Sequence, residues 1–396
     1  MSLMSKEMSD FVTVLNALRA NDSYTYCMEV TSSCENRITV EGEERINFIS
    51  NNYLGFSTHP KVVEAVKEAL DIYGVGIGGS PMMCGTTDLH IKLQAKIAQV
   101  YNQEASLLFT TGYQALLGSI QASVSSKDVV LLDQLVHRSI VDGVVLSGAK
   151  KRMWVHNDME DLESLLQSVG DKYERKLIVV DSVYSMDGDI APLPELYELK
   201  EKYNAILIVD EAHSLGVLGD KGYGILSHFD MPDGSDIISG TFSKFAGAIG
   251  GFVAATTDFV DFMKHKASPF IFSASLSPLI VAGVLKAFEL LDEEPEWVDK
   301  LWNNVETFAK GLIDLGFDIG TSETPVVPLM IRDNEKTQTF NKKIFEKGIY
   351  GSPVIYPAVA PQESRIRLGV MATHTKEDIE KAMDVFKAVG KEVGVI

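Results

Sequence analysis

The strongest constraint on how this chain folds is a repeated alternation of short apolar runs with amphipathic segments of helical spacing. The runs fall at Ala105–Phe109, 129–132, 152–155, 177–180, 206–209 and 237–238, and most are rich in Val, Ile and Leu. Strands apolar on both faces belong in a parallel sheet covered by helices on either side. The segments between them fit that cover; Met159–Val169, for example, follows Asn157 or Asp158 as its N-cap. A short strand at 46–50 and a helix carrying Val62, Val66 and Ala69 precede this rhythm. It breaks near Ala267-Ser268-Pro269. Helices at 278–291 and around Trp297, Leu301 and Phe308 follow, then strands at 326–331 and 366–370 and a closing helix at 376–389. The pattern predicts an α/β protein with a doubly wound, mostly parallel sheet in a large domain at 46–290. An N-terminal arm at 1–45 and a small C-terminal α+β domain at 291–396 complete the expected organisation.

Composition narrows the functional classes. A length of 396 residues suits about two domains, and 45% hydrophobic with 23% charged residues is the balance of a soluble globular protein. A net charge of −19 argues against nucleic acid or an anionic membrane as partner, though a local basic pocket for an anionic small molecule remains compatible with it. Cys27, Cys34 and Cys84 form no C-x-x-C pair, so neither a disulfide framework nor a metal site is expected. The N-terminus is polar, and the longest apolar stretch, 245–256, is Gly-rich and short of the ~20 residues a membrane span needs. A cytoplasmic protein without an integral membrane span is expected.

In open α/β sheets, ligands bind beyond the carboxyl ends of the strands. After the 105–109 run comes Thr110-Thr111-Gly112-Tyr113, a small-residue turn into a helix that suits a phosphate. Later runs lead to Asp133 with His137, to Asp181 through Asp189, to Asp210-Glu211-Ala212-His213-Ser214, and to Ser239 through Lys244. A phosphate turn, a strand-end Asp, two His, a Ser and a Lys together suit an aromatic phosphorylated cofactor that needs a counter-charge. Pyridoxal 5′-phosphate (PLP) answers that description: Asp210 would favour the protonated pyridine nitrogen, and Lys244 would condense with the aldehyde. His137 would stack on the ring, Ser185 and His213 would reach its phenolic oxygen, and Thr241 and Ser243 would bond the phosphate. Taken singly, each has an ordinary alternative: Asp210 a helix cap, Lys244 a solvated lysine, His137 a surface histidine. Gly74-Val75-Gly76-Ile77-Gly78-Gly79 formally matches a dinucleotide fingerprint, but it follows a helical pattern where a strand is required. No G-x-S-x-G elbow supports a serine hydrolase.

Several motifs resemble those of the α-oxoamine synthases, a branch of the fold-type I, aminotransferase-like PLP enzymes, over most of the chain from about Ile46. They are Ser50-Asn51-Asn52-Tyr53-Leu54-Gly55, Cys84-Gly85-Thr86, the stretch from Asp133 to His137, Tyr184-Ser185-Met186-Asp187-Gly188-Asp189, Asp210-Glu211-Ala212-His213, Thr241-Phe242-Ser243-Lys244, and Arg365-Ile366-Arg367 before Ala372-Thr373-His374. The resemblance is nearest to the bacterial serine palmitoyltransferase-like members. It implies condensation of a small α-amino acid, serine foremost, with an acyl-CoA and loss of CO2. The alternatives it carries are 8-amino-7-oxononanoate synthesis from alanine and 2-amino-3-ketobutyrate formation from glycine; outside the branch stands an aminotransferase. It also implies roles. Lys244 is the Schiff-base lysine and proton-transfer base, beside Asp210, His137 and His213. Thr111, Gly112 and Tyr113 form the phosphate cradle with Thr241 and Ser243, and Arg365 with Asn51 holds the substrate carboxylate. Ser273 reaches the phosphate of a neighbouring subunit, which implies a homodimer with shared active sites. Ser80, a small residue at the substrate site, is followed by Pro81-Met82-Met83 where many members carry Arg, a departure that leaves the amino acid and the acyl chain open.

Overall fold

The computed structural model describes residues 5–21 and 24–396, and in it the apolar runs assemble into one sheet. After a helix at Lys6–Ala20, the chain forms β1 (Arg37–Val40) and β2 (Glu43–Asn47). The main run of strands follows: β3 (Ala105–Phe109), β4 (Val129–Asp133), β5 (Lys150–Trp154), β6 (Lys176–Asp181), β7 (Ile206–Asp210), β8 (Ile237–Thr241) and β9 (Gly251–Ala255). These seven lie in the order β3-β9-β8-β7-β6-β4-β5. Pairing from β8 through β7, β6 and β4 to β5 is parallel, and β9 alone runs against its neighbours.

Strand periodicity explains why the inner parallel strands are apolar, while the edge strand β5 leaves Lys150, Lys151 and Arg152 exposed. Leu131, Ile178, Val180, Leu207, Val209 and Ile238 join the core on one face. Their alternates Val130, Leu132, Leu177, Val179, Ile208 and Ile237 join the core on the other. Each residue of this kind contributes about 1.5–3 kcal/mol by leaving water, so neither face tolerates a polar stripe. Helices connect the parallel strands, as crossovers require. Met159–Val169 begins on Asp158, whose carboxylate accepts the Asp161 backbone N–H at 3.0 Å.

Two expectations change. The 245–256 stretch has no strand in the sequence reading, yet it holds β9. Gly and Ala have low strand propensity, but here they are what close packing permits. A Cβ on Gly251 would lie 2.5 Å from the Gly112 Cα, and one on Gly240 would lie 2.6 Å from the Phe252 ring. The strand expected at 46–50 ends at Asn47 and belongs to a separate small sheet.

The rest of the chain supplies β10 (Val326–Met330), β11 (Ile349–Tyr350), β12 (Ser352–Val354) and β13 (Arg365–Gly369). β13 lies between β10 and β12, and β11 joins β2. The segment after β2 is tied to the end of β13: the Gly369 N–H donates to the Phe48 carbonyl and the Ala372 N–H to that of Tyr53, both at 2.7 Å. This seam brings residues 50–53 and β13 to the carboxyl edge of the main sheet. Among the described residues, no helix is long and apolar enough to cross a membrane.

Candidate active site

Strands β4, β6, β7 and β8 run in one direction and end at Asp133, Asp181, Asp210 and Thr241. Beyond the last three of these ends lies a cavity of about 320 Å³. Its lining includes Thr111, Gly112, Tyr113, His137, Ser185, Asp210, His213, Thr241, Ser243 and Lys244, all singled out from the sequence. One end is the start of the helix Gly112–Ser123, whose first backbone N–H groups have no partner within the helix and favour an anion. Gly112 is required there, since a Cβ would lie 2.6 Å from the Thr241 Cβ and 2.9 Å from its hydroxyl. The Thr241 and Ser243 hydroxyls are 2.9 Å apart beside this turn.

Asp210 and Lys244 perturb each other across the cavity. Burial pushes the Asp210 carboxyl up to about 6, opposed by the Lys244 charge and by the Ala212 backbone N–H at 3.0 Å. Burial pulls the Lys244 amine down to about 8, against the attraction of Asp210 and Asp181 and with help from Arg367. Half-neutral at that pH, the amine is a usable nucleophile where a solvated lysine is not. His213 is held neutral, its basicity lowered well below the ordinary range by burial and by the Lys244 charge. It shares a 2.6 Å hydrogen bond with the Tyr53 hydroxyl. His137 is also less basic than usual, through burial and Lys244. As N-cap of the helix Arg138–Ser147, its backbone N–H reaches Asp181 at 3.1 Å and its ring meets the Ser139 hydroxyl at 2.7 Å.

These residues fit PLP. A turn at Gly112 that would cradle a phosphate, a buried carboxylate that would serve a pyridinium nitrogen, a desolvated lysine and a histidine ring all line the same space.

Four residues chosen from the sequence lie outside the cavity lining. Arg365 has partners of its own. Its guanidinium is committed to Asp187 and to Glu363, the latter at 3.1 Å, and it does not touch Asn51. Arg367, two residues on and on the same face of β13, donates to Asn51 Oδ1 at 2.9 Å and to the Ser185 carbonyl at 2.6 Å. Its charge acts on both Lys244 and His213. Asn51 is hydrogen-bonded to Arg367 and has no hydrogen bond to Arg365 among the described residues. Ser273 accepts a 3.1 Å hydrogen bond from Gln114 within its own chain. Ser80 stands in a turn in which its carbonyl accepts the Gly85 N–H at 3.0 Å, next to Gly79, whose carbonyl accepts the Ser275 N–H at 2.9 Å.

The sequence reading assigned no role to Arg367, Asp181 or Tyr53, although each stood in a motif it quoted. Asp181 had the clearest available signal, a strand end one strand from Asp210, and the two are paired in register between β6 and β7. For the arginines no sequence signal sufficed: alternation puts both on one face, and only the β13 register chooses between them.

Comparison with known proteins agrees with this geometry. The aminotransferase class I and II family matches residues 43–386. A serine palmitoyltransferase from Sphingobacterium spiritivorum is 41% identical over 392 residues, covering 99% of this chain and 98% of the relative. An 8-amino-7-oxononanoate synthase from Thermoanaerobacter pseudethanolicus is 43% identical over 360 residues, covering 91% of each. Among solved structures, the Sphingomonas wittichii serine palmitoyltransferase superposes with a TM-score of 0.96 at 30% identity, and a serine palmitoyltransferase holding PLP with 0.94 at 32%, each covering both chains completely. The chain belongs to the aminotransferase class I and II family, in its α-oxoamine synthase branch.

Proposed function

We propose that this protein is a PLP-dependent transferase that condenses a small α-amino acid with an acyl thioester, releasing CO2 and the free thiol. The observation that carries the reading is the shared cavity of Lys244, Asp210 and the Gly112 turn. When bound, PLP supplies an electron sink for negative charge developing at the amino acid Cα.

The chain's own residues would do the rest. The Gly112 and Tyr113 N–H groups, with Thr241 and Ser243, would hold the phosphate. Asp210 would favour a proton on the pyridine nitrogen, neutral His213 and Ser185 would serve the phenolic oxygen, and His137 would pack on the ring. Lys244 anchors the cofactor and then carries the Cα proton, a task suited to an amine titrating near 8. Arg367, oriented by Asn51 and by the Ser185 carbonyl, takes the substrate carboxylate that departs as CO2.

Within this chemistry we favour L-serine and a long-chain acyl-CoA, giving a 3-keto sphingoid base. Support comes from the full-length match to the Sphingobacterium spiritivorum relative and from the serine palmitoyltransferase structures. The second reading is alanine with a pimeloyl thioester, favoured by synthase relatives of 42–43% identity. We also read the protein as a cytoplasmic homodimer, with a large domain at 46–290 and a small one at 291–396. Ser273 stands outside its own cavity beside Phe272, an exposed aromatic (83%), as suits a segment that serves a partner's phosphate. The test is to offer serine, alanine and glycine with acyl-CoAs of graded length and follow thiol release. Fastest release with serine and long chains is the expected result. Release with no pair, together with rapid conversion of PLP to its amine form, would make the protein an aminotransferase instead.

A further inference from the structure

Outside the cavity, three titratable side chains form a cluster that the proposed reaction does not use. His156, just after β5, has Nδ1 2.9 Å from Asp133 Oδ1 and Nε2 2.6 Å from Asp189 Oδ2. Both ring nitrogens face carboxylate oxygens, so both must carry protons for the two bonds to exist together. Burial disfavours the charge, yet the two carboxylates overcome it and lift the imidazole to about 10. Tyr184 closes the cluster edge-on, its ring centroid 4.4 Å from that of His156.

Each carboxylate is wired to a different wall of the cavity. Asp133 accepts the Leu135 N–H at 2.8 Å, fixing the turn that leads to His137, and the Asn157 N–H at 2.9 Å. Asp189 closes the loop that carries Ser185: its carbonyl accepts the Tyr184 N–H at 3.1 Å, and Val183 bridges Ile190. The Asn157 side chain adds a 2.9 Å bond to Asp189. Among the described residues, His156 is the one side chain that bonds both carboxylates, and so it spans the turn before His137 and the loop of Ser185.

We infer that His156 is a positioning residue: a charged clamp between Asp133 and Asp189 that sets the distance between the His137 and Ser185 walls of the cofactor cavity. It touches neither cofactor nor substrate. Its effect lies in holding the ring-face and phenolic-oxygen contacts in place before the cofactor arrives, which removes an ordering cost from binding. The inference rests on the PLP reading of that cavity.

The test is PLP titration of the apo forms of the native protein and of His156→Gln, which can bond one carboxylate but carries no charge. Loss of one charge-assisted contact predicts a Kd raised by about ten- to a hundredfold. The pH dependence of the bound cofactor's visible band should shift as well, while far-ultraviolet circular dichroism stays native. If His156→Gln does not fold, Asp189→Asn carries the test, because it removes the charge from one of the two contacts and leaves the His156–Asp133 ion pair; a raised Kd is expected there too. A folded variant with lower apo stability but native Kd and native band would reduce His156 to a structural residue and overturn the inference. Failure of the native protein itself to bind PLP would instead overturn the cofactor reading.

Discussion

At the residue scale the decisive quantity is how burial redistributes charge around Lys244. An amine at about 8 is mostly protonated at pH 6 and mostly neutral at pH 9, so PLP uptake by the apo protein should quicken roughly tenfold per pH unit below 8 and level off above it. Stopped-flow absorbance would check this; a pH-independent rate would mean Lys244 is not the attacking amine. Removing the base with Lys244→Ala should cost turnover at least about 10²–10⁴-fold, read by thiol release. The two arginines of β13 are told apart by substitution. Arg367→Gln should raise the amino-acid KM by about ten- to a hundredfold, whereas Arg365→Gln should leave it near native, since Arg365 is occupied by Asp187 and Glu363. His156 has its own pH signature. Its folded-state value of about 10 lies above the unfolded 6.5, so its stabilisation is complete below pH 6.5 and fades as pH rises through 10. Thermal melts across that window should fall more steeply for the native protein than for His156→Gln.

At the element scale the site is a product of strand ends and one helix start. Much of this was legible, because continuous apolar runs identify buried parallel strands and the residues after them mark the carboxyl edge. Asp210, His213, Thr241 and Lys244 could therefore be placed without coordinates. What escaped was set by contact and not by pattern. β9 is hidden because its Gly251 answers to close contact with Gly112 and the Gly240 carbonyl, and Arg367 is hidden because alternation puts it on the same face as Arg365. His156 gave no signal at all, since its partners come from the end of β4 and the loop after β6. The same close packing makes a prediction: Gly112→Ala should push a methyl into Thr241, with overpacking of about 1–3 kcal/mol, and weaken PLP binding about tenfold or more in an apo-protein titration.

At the scale of the whole molecule, the seam between residues 48–53 and β13 joins the N-terminal part of the chain to its C-terminal part at the edge of the cavity. Arg367 from the one and Asn51 from the other meet there, so the proposed carboxylate site exists only when both are folded. Sedimentation of the purified protein should give twice the mass of one chain, as the proposed homodimer requires; a monomer with full activity would remove Ser273 from any shared site. The central claim is that Lys244 and Asp210 hold one PLP between them, and the most direct measurement is borohydride reduction of the PLP-loaded protein followed by peptide mass spectrometry. The account predicts a single phosphopyridoxyl group on Lys244. A label on another lysine, or none, would contradict it.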